Sequence, residues 1–501
     1  MSNCPQRAIC LWIACLLLSL LLNACSNESR DSIRFGLSTP PVTLDPRLAT
    51  DAVSHRINRL LYRQLVDFDE QQKPVPSLAS WEKISDTHYR FTLGKQGRLF
   101  HNGTRLTATD VKSSYDWVLD PLNISPHRAT LENIQDMRVI NSNIIDFHLQ
   151  HIDPLFPGRL VIGILPTQLI ATNHPFSREP VGSGSFRLVD WSDESRLVLE
   201  RVRDNQAVEF ITVKDSTVRA LKLLRGEIDI IQNDLPFELL NWLNQKETIT
   251  LETRPGNTYS YLGFNLRDPV LKQRNIREAI AHGIDRKAII RHVLGNAARP
   301  AGSILPPNHW SGHPELEPYT YDPDKARKLL KQSGFDETQR LSVEYKTSSN
   351  PLRLRLATII QYQLKQIGID LVLKSYDWGT FYGDIKSGQF QLYSLSWVGL
   401  KMPDIFRYAF HSDSVPPAGA NRGYLNDDFV DQLIEAAERE ADPMRQLILY
   451  RELQERLHDM LPYVSLWYEH NILARRSNIH GYRLSVDGEF DALNKVYRQN
   501  Y

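Results

Sequence analysis

Beyond residue 25 the sequence holds no cysteine: Cys4, Cys10, Cys15 and Cys25 account for all four. That excludes a disulfide framework and thiolate metal sites from the body of the chain. An excess of one charge is missing as well, since 59 basic and 59 acidic residues cancel. The electrostatic case for a nucleic-acid partner goes with it. Past the N-terminus no apolar run approaches the roughly 18 residues of a membrane span. There is no internal repeat and no low-complexity segment. What is there is an ordinary globular composition, 42% hydrophobic and 24% charged over 501 residues. Such a length fits about three domain-sized units and a sizeable core.

The cysteine-bearing start reads as an export signal. Arg7 precedes an apolar run from Ala8 to Leu22, and Leu22-Asn23-Ala24-Cys25 follows. A basic start, a short apolar core and small residues before a cut are the parts of a secretory signal. The last four residues resemble a bacterial lipobox, which makes residues 1–24 the signal and Cys25 the lipidated first residue. The polar residues up to Ser32 read as a flexible leash. The expected location is the periplasm or cell envelope, lipid-anchored to a membrane.

Local patterns predict a mixed α/β chain. Ile33–Leu37, His88–Leu93 and Val139–Leu149 alternate as strands, while Ile57–Leu65 and Thr107–Trp117 read as helices, the second with Thr107 and Asp110 placed as a capping pair. Gly182–Val189 and Arg196–Val202 read as paired strands, and Ser216–Arg225 as a helix stopped by Gly226. Ile276–Leu294 is predicted to be one helix. From Leu341 the order strand, helix (Leu356, Ile360, Leu364 on one face), strand (Ile369–Leu373), helix (Trp378–Ile385), strand (Phe390–Trp397) predicts parallel pairing. Ligands of such sheets sit outside the carboxyl ends of the strands, where Trp378 and Trp397 fall.

Catalytic patterns are absent. There is no Gly-x-Ser-x-Gly, no Walker loop and no His-Glu-x-x-His. Gly182-Ser183-Gly184-Ser185 lacks the third glycine and the lysine of a phosphate cradle and reads as a tight turn. His148 and His151 stand three apart on a strand, which points them to opposite faces, so no metal site is expected. No cofactor motif is present, and the chain reads as a binding protein rather than an enzyme.

A series of short segments then becomes informative: Thr43-Leu44-Asp45-Pro46, Pro74–Glu82, Phe100–Val111, Val181–Phe186, Gly226-Glu227-Ile228-Asp229, Leu262-Gly263-Phe264-Asn265, Ile276–Ile280 with Ile284-Asp285-Arg286, and Tyr321-Asp322-Pro323 to Gly334-Phe335. In this order and spacing the chain resembles the extracytoplasmic solute-binding proteins of the peptide, dipeptide, nickel and haem importers, family 5, from about Ile33 to the C-terminus. The resemblance implies an α/β, two-lobe periplasmic-binding-protein fold (type II, with an extra subdomain in the first lobe) and a hinged cleft. The expected division is a first lobe of 33–50, 175–258 and 479–501, an extra subdomain of 51–174, and a second lobe of 259–478. The partners it implies are a small peptide or peptide-like solute and an inner-membrane ABC permease. A monomer, no nucleic acid and a membrane attachment through Cys25 complete the expectation.

Candidate pocket residues come from position and from the resemblance. Tyr259, Tyr261, Trp378, Trp397 and Tyr424 are aromatics near strand ends. By resemblance Trp397 opens the pocket segment and Asn421-Arg422 is a polar stretch near it. The peptide-binding members carry an aspartate three residues after that tryptophan, which pairs with the α-ammonium of the peptide. Here the position is Leu400, followed by Lys401, and Asp404 could replace the aspartate only in a rebuilt loop. The departure predicts a solute that is anionic or blocked at its amino terminus. A ligand sensor or periplasmic chaperone with the same fold is the alternative, and an extracytoplasmic hydrolase the third reading.

Overall fold

The computed structural model describes residues 32–336 and 338–499. The predicted signal, Cys25 and the linker up to residue 31 lie outside the described residues. Among the described residues no helix is long and apolar enough to cross a membrane.

Two long strands organise the molecule. Ile249–Phe264 and Tyr463–Arg476 pair antiparallel along most of their length. On one side they continue into Leu392–Trp397, Leu341–Ser348 and Ile369–Tyr376. On the other side come Ile230–Gln232, Ile33–Leu37, Ala207–Thr212, Arg196–Arg201 and Phe186–Asp193. With Ala298–Pro300 on Tyr463–Arg476, these form one sheet of eleven strands among the described residues. The predicted crossovers are present: Leu341–Ser348 runs parallel to both Ile369–Tyr376 and Leu392–Trp397. Next to them the sheet turns antiparallel, because the two long strands must carry the chain out and back between lobes.

The cores follow this division. One lobe buries Phe35, Ile57, Phe210 and Phe490 in a common cluster, and a second cluster under it holds Leu223 and Ile249. The other lobe has two clusters, one around Ile280, Leu364 and Trp467, the other around Tyr261, Phe406 and Tyr450. A separate four-stranded sheet (Ala79–Ser85, His88–Leu93, Ile144–Leu149, Ile134–Asn141) packs Phe91 and Phe147 against the helix Ala108–Leu119. Each such fully buried side chain contributes roughly 1.5–3 kcal/mol by leaving water. The boundaries drawn at 51 and 174 fall inside first-lobe packing, since Ile57, Leu60, Leu61 and Leu165 join Phe35 and Phe186. Leu473 does the same, so the long return strand, which starts in the other lobe, enters the first lobe before residue 479.

Three element predictions are corrected. The helix expected from Ile57 spans Ala52–Leu61, started by Asp51, whose side chain accepts from the Ser54 amide. Val139–Leu149 is the end of one strand, a turn and the returning strand of a hairpin: Asn141 Oδ1 accepts from the amides of Asn143 and Ile144 and turns the chain. Ile276–Leu294 is two helices, Arg274–His282 and Arg286–His292. Gly283 sits where a Cβ would lie 2.5 Å from Ile367, and Asp285 caps the second helix through the Ala288 amide. The buried Arg286 guanidinium donates to the carbonyls of Ala281, Ile284, Tyr319 and Ser465, satisfying the broken ends.

Candidate functional site: the cleft between the lobes

The two long strands change register between Pro255 and Thr258, where the chain passes between lobes. A bulge there bends the strand locally. Asn257 Nδ2 donates to the Leu400 carbonyl at 2.6 Å, and its amide to the Val486 carbonyl. Residues 398–404 therefore lie against the first lobe, directly after Trp397.

Lys401 is held there by two acids of the other lobe. Its Nζ lies 3.0 Å from Asp487 and 3.2 Å from Glu489, and all three side chains are nearly buried. Burial works against each charge, yet the attraction prevails: the ammonium is held above its ordinary pKa and both carboxyls below theirs. His309 fixes the same turn, its Nε2 3.1 Å from the Lys401 carbonyl oxygen. Lys401 is thus neither a solvated loop residue nor a free cation for an anionic solute. Asp404 lies 3.4 Å from Arg159 of the extra subdomain, and burial pushes its carboxyl pKa up. Leu400 is buried in the second-lobe core.

The aromatics divide. Tyr259 and Tyr261 are core residues, 2% and 0% exposed, stacked on each other. Both rings point into the second-lobe core rather than to the surface, and Tyr261 Oη accepts from Arg422 at 3.5 Å. Trp397 remains half-buried, 6.0 Å from the Tyr408 ring. Trp378 is exposed and stacks flat on Tyr382 at 5.2 Å. Tyr424 stands apart: its ring lies under Arg267 at 3.7 Å and lines a depression of about 480 Å³ with Lys272 and Arg277. Asn421 is spent on its own loop, its amide nitrogen donating to the carbonyls of His411 and Leu425.

Arg422 is different. It is 6% exposed, and its guanidinium lies over the rings of Trp397 at 5.0 Å and Tyr382 at 5.4 Å. It donates to Tyr382 Oη at 3.1 Å and to Tyr261 Oη at 3.5 Å, and no carboxylate among the described residues pairs with it. Cation–π contact supplies about 2 kcal/mol at a desolvated site, less than the cost of burying the charge unpaired.

Sequence reasoning missed the acids of the site and their partners. Glu469, on the return strand, accepts from Arg353 at 2.9 Å and from Ser260 at 2.7 Å. Burial raises its pKa, but Arg353 and Ser260 outweigh that and hold it below the ordinary value. Asp487, Glu489 and Arg159 were equally unflagged, because nothing local marks a residue whose partner lies on another lobe. His148 meets His88 and Asp146, not His151; the rings stack at 4.3 Å. Both oxygens of Asp146 accept from Arg90.

Two lobes joined by paired crossing strands, with an aromatic and charged cleft between them, define a hinged binding protein. Residues 73–415 match the family described as bacterial extracellular solute-binding proteins, family 5 Middle, and the chain belongs to that family. The "Dipeptide-binding protein" of Escherichia coli (strain K12) is 24% identical over 484 residues, covering 88% of this chain and 90% of that one. Among solved structures, the periplasmic binding protein DppA from Helicobacter pylori, in complex with peptide STSA, superposes with a TM-score of 0.82 at 25% identity. It covers 94% of this chain and 98% of its own. NikZ from Campylobacter jejuni, in complex with Ni(L-His), gives 0.83 at 23% identity, covering 94% and 100%, a likeness of fold.

Proposed function

We propose that this chain is the lipid-anchored receptor of an ABC importer, and that its solute is peptide-like, carries a carboxylate and needs no free α-ammonium. Arg422 carries this reading: it is the buried cation beside Trp397 that lacks a counter-ion among the described residues. The acids that could receive an ammonium are committed elsewhere. Asp404 faces Arg159, Asp487 and Glu489 hold Lys401, and Glu469 holds Arg353. A solute carboxylate placed on Arg422 gains a charge-assisted, two-pronged contact, with Trp397 and Tyr408 as flat surface for the remainder. The ligands named for its relatives, a dipeptide and the peptide STSA, support the peptide-like class. Closure follows if the solute binds the closed arrangement more tightly than the open one. Attachment to the membrane rests on Leu22-Asn23-Ala24-Cys25.

Mass spectrometry of the protein purified from its own cells, native and then denatured, tests the reading. The expected released compound carries a carboxylate and an acylated or absent α-amine. A free-amine peptide, or a cationic solute, would overturn it.

A further inference from the structure

A second concave site lies between the first lobe and the extra subdomain, away from the cleft. It has a volume of about 560 Å³ and is lined by Arg63, Lys95, Arg98, Arg105 and Arg203 together with Ser183. No acid is among its lining residues. Of the five cations, Arg203 alone has a carboxylate partner among the described residues, Asp204 at 3.2 Å. Asp204 is shared with Arg201, which it meets at 2.8 Å. Arg98 is 6% exposed and bonds only to neutral groups, the carbonyls of Gly94, Leu106 and Ser142 and the Asn143 side chain.

Ser183 forms part of one wall. It is 4% exposed, lines the cavity, and its hydroxyl has no hydrogen-bond partner among the described residues. The hydroxyl itself is enclosed behind the cavity wall, where leaving it unpaired costs about 1–3 kcal/mol. The flanking glycines explain how Ser183 reaches the site. A Cβ on Gly182 or Gly184 would lie 2.1 Å from the Leu61 carbonyl oxygen or 2.2 Å from that of Leu60. The glycines therefore let the turn press onto the end of the helix Ala52–Leu61, while Ser183 stays at the cavity wall.

We infer that this cavity binds a multiply charged phosphoryl-group anion, free in solution or as a lipid headgroup. A cluster of like charges around a recess is self-repelling and is relieved by an anion that meets several of them at once. The volume lies within the range of small-molecule sites, about 300–1,000 Å³, and exceeds what a single phosphate needs.

The test titrates the purified protein with inorganic pyrophosphate at low salt by calorimetry. In parallel it sediments the protein with phosphatidylcholine vesicles containing phosphatidic acid. The variants are Arg63→Ala, Arg105→Ala and Ser183→Ala, with melting temperature as the control for folding. Saturable pyrophosphate binding, weakened about tenfold or more by each arginine change and by added salt, supports a free phosphoryl ligand. Vesicle binding without pyrophosphate binding, lost in the same variants, supports the headgroup. Ser183→Ala is the control: its hydroxyl is enclosed and unpaired among the described residues, so the change is expected to leave both binding and melting temperature as they are. Absence of binding in both arms, or binding indifferent to Arg63 and Arg105, overturns the inference.

Discussion

The Lys401 ammonium on the second lobe lies 3.0 Å from the Asp487 carboxylate on the first. The pair spans the cleft one strand end away from Trp397, and Glu489 makes it a triad. It places a charge-dependent contact between the lobes beside the crossing strands, where Asn257 also holds Leu400 and Val486.

Lys401→Met is expected to favour the open arrangement. Truncating one member of a buried pair leaves the others unpaired, at a cost of about 2 kcal/mol or more. Small-angle scattering should show a larger radius of gyration for the variant, and its solute affinity should fall. An unchanged radius with and without solute would mean the contact does not bias closure.

The same triad sets an acid limit. Asp487 and Glu489 have folded-state pKa values depressed below the ordinary carboxylate range. Their contribution is therefore fully present above that range and disappears as pH falls through the depressed values. Closure followed by scattering should hold from neutral pH down through the ordinary carboxylate range and fail only below it. Opening between pH 7 and 6 would show that other groups control it.

His309 gives a separate pH signature. It is 5% exposed, and burial lowers its pKa to about 4. The folded state holds it neutral, so its contribution is complete above the ordinary histidine value and is lost progressively as pH falls toward 4. The total is roughly 3 kcal/mol by linkage. Denaturant midpoints measured across that window should decline less steeply in His309→Gln than in the parent. Parallel curves would remove His309 as the cause.

Tyr261 and Asn421 should behave as structural residues. Tyr261→Ala empties a fully buried aromatic position and is expected to cost about 3–5 kcal/mol of unfolding free energy. Asn421→Ala removes three hydrogen bonds to its own loop and should cost about 1–3 kcal/mol. Equilibrium denaturation measures both. A normal stability with a selective loss of solute binding would instead return either residue to the cleft surface.

Much of the frame was legible because periodic segments carry their own information. Ser216–Arg225, with Gly226 after it, coincides with the helix as observed. The alternation from Leu341 to Trp397 predicts the three parallel strands. Local punctuation that breaks a periodic run was harder to see: Asp285 restarts a helix in the middle of an apolar pattern, and Asn141 turns a strand back. The cleft was legible only in part. Trp397 and Leu400 sit in a recognisable segment, which is what draws attention to this stretch of the chain. The partners that decide the charge balance could not, since Lys401 and Glu489 are 88 positions apart and no local rule links them.

The most direct measurement of the central claim is calorimetric titration with a dipeptide and its N-acetylated twin, on the parent protein and on Arg422→Gln. The account predicts that the parent binds the acetylated peptide at least as tightly as the free one. It also predicts that Arg422→Gln loses about tenfold or more toward it. Clear preference for the free dipeptide, or an Arg422→Gln variant that binds the acetylated one as well as the parent does, would contradict it.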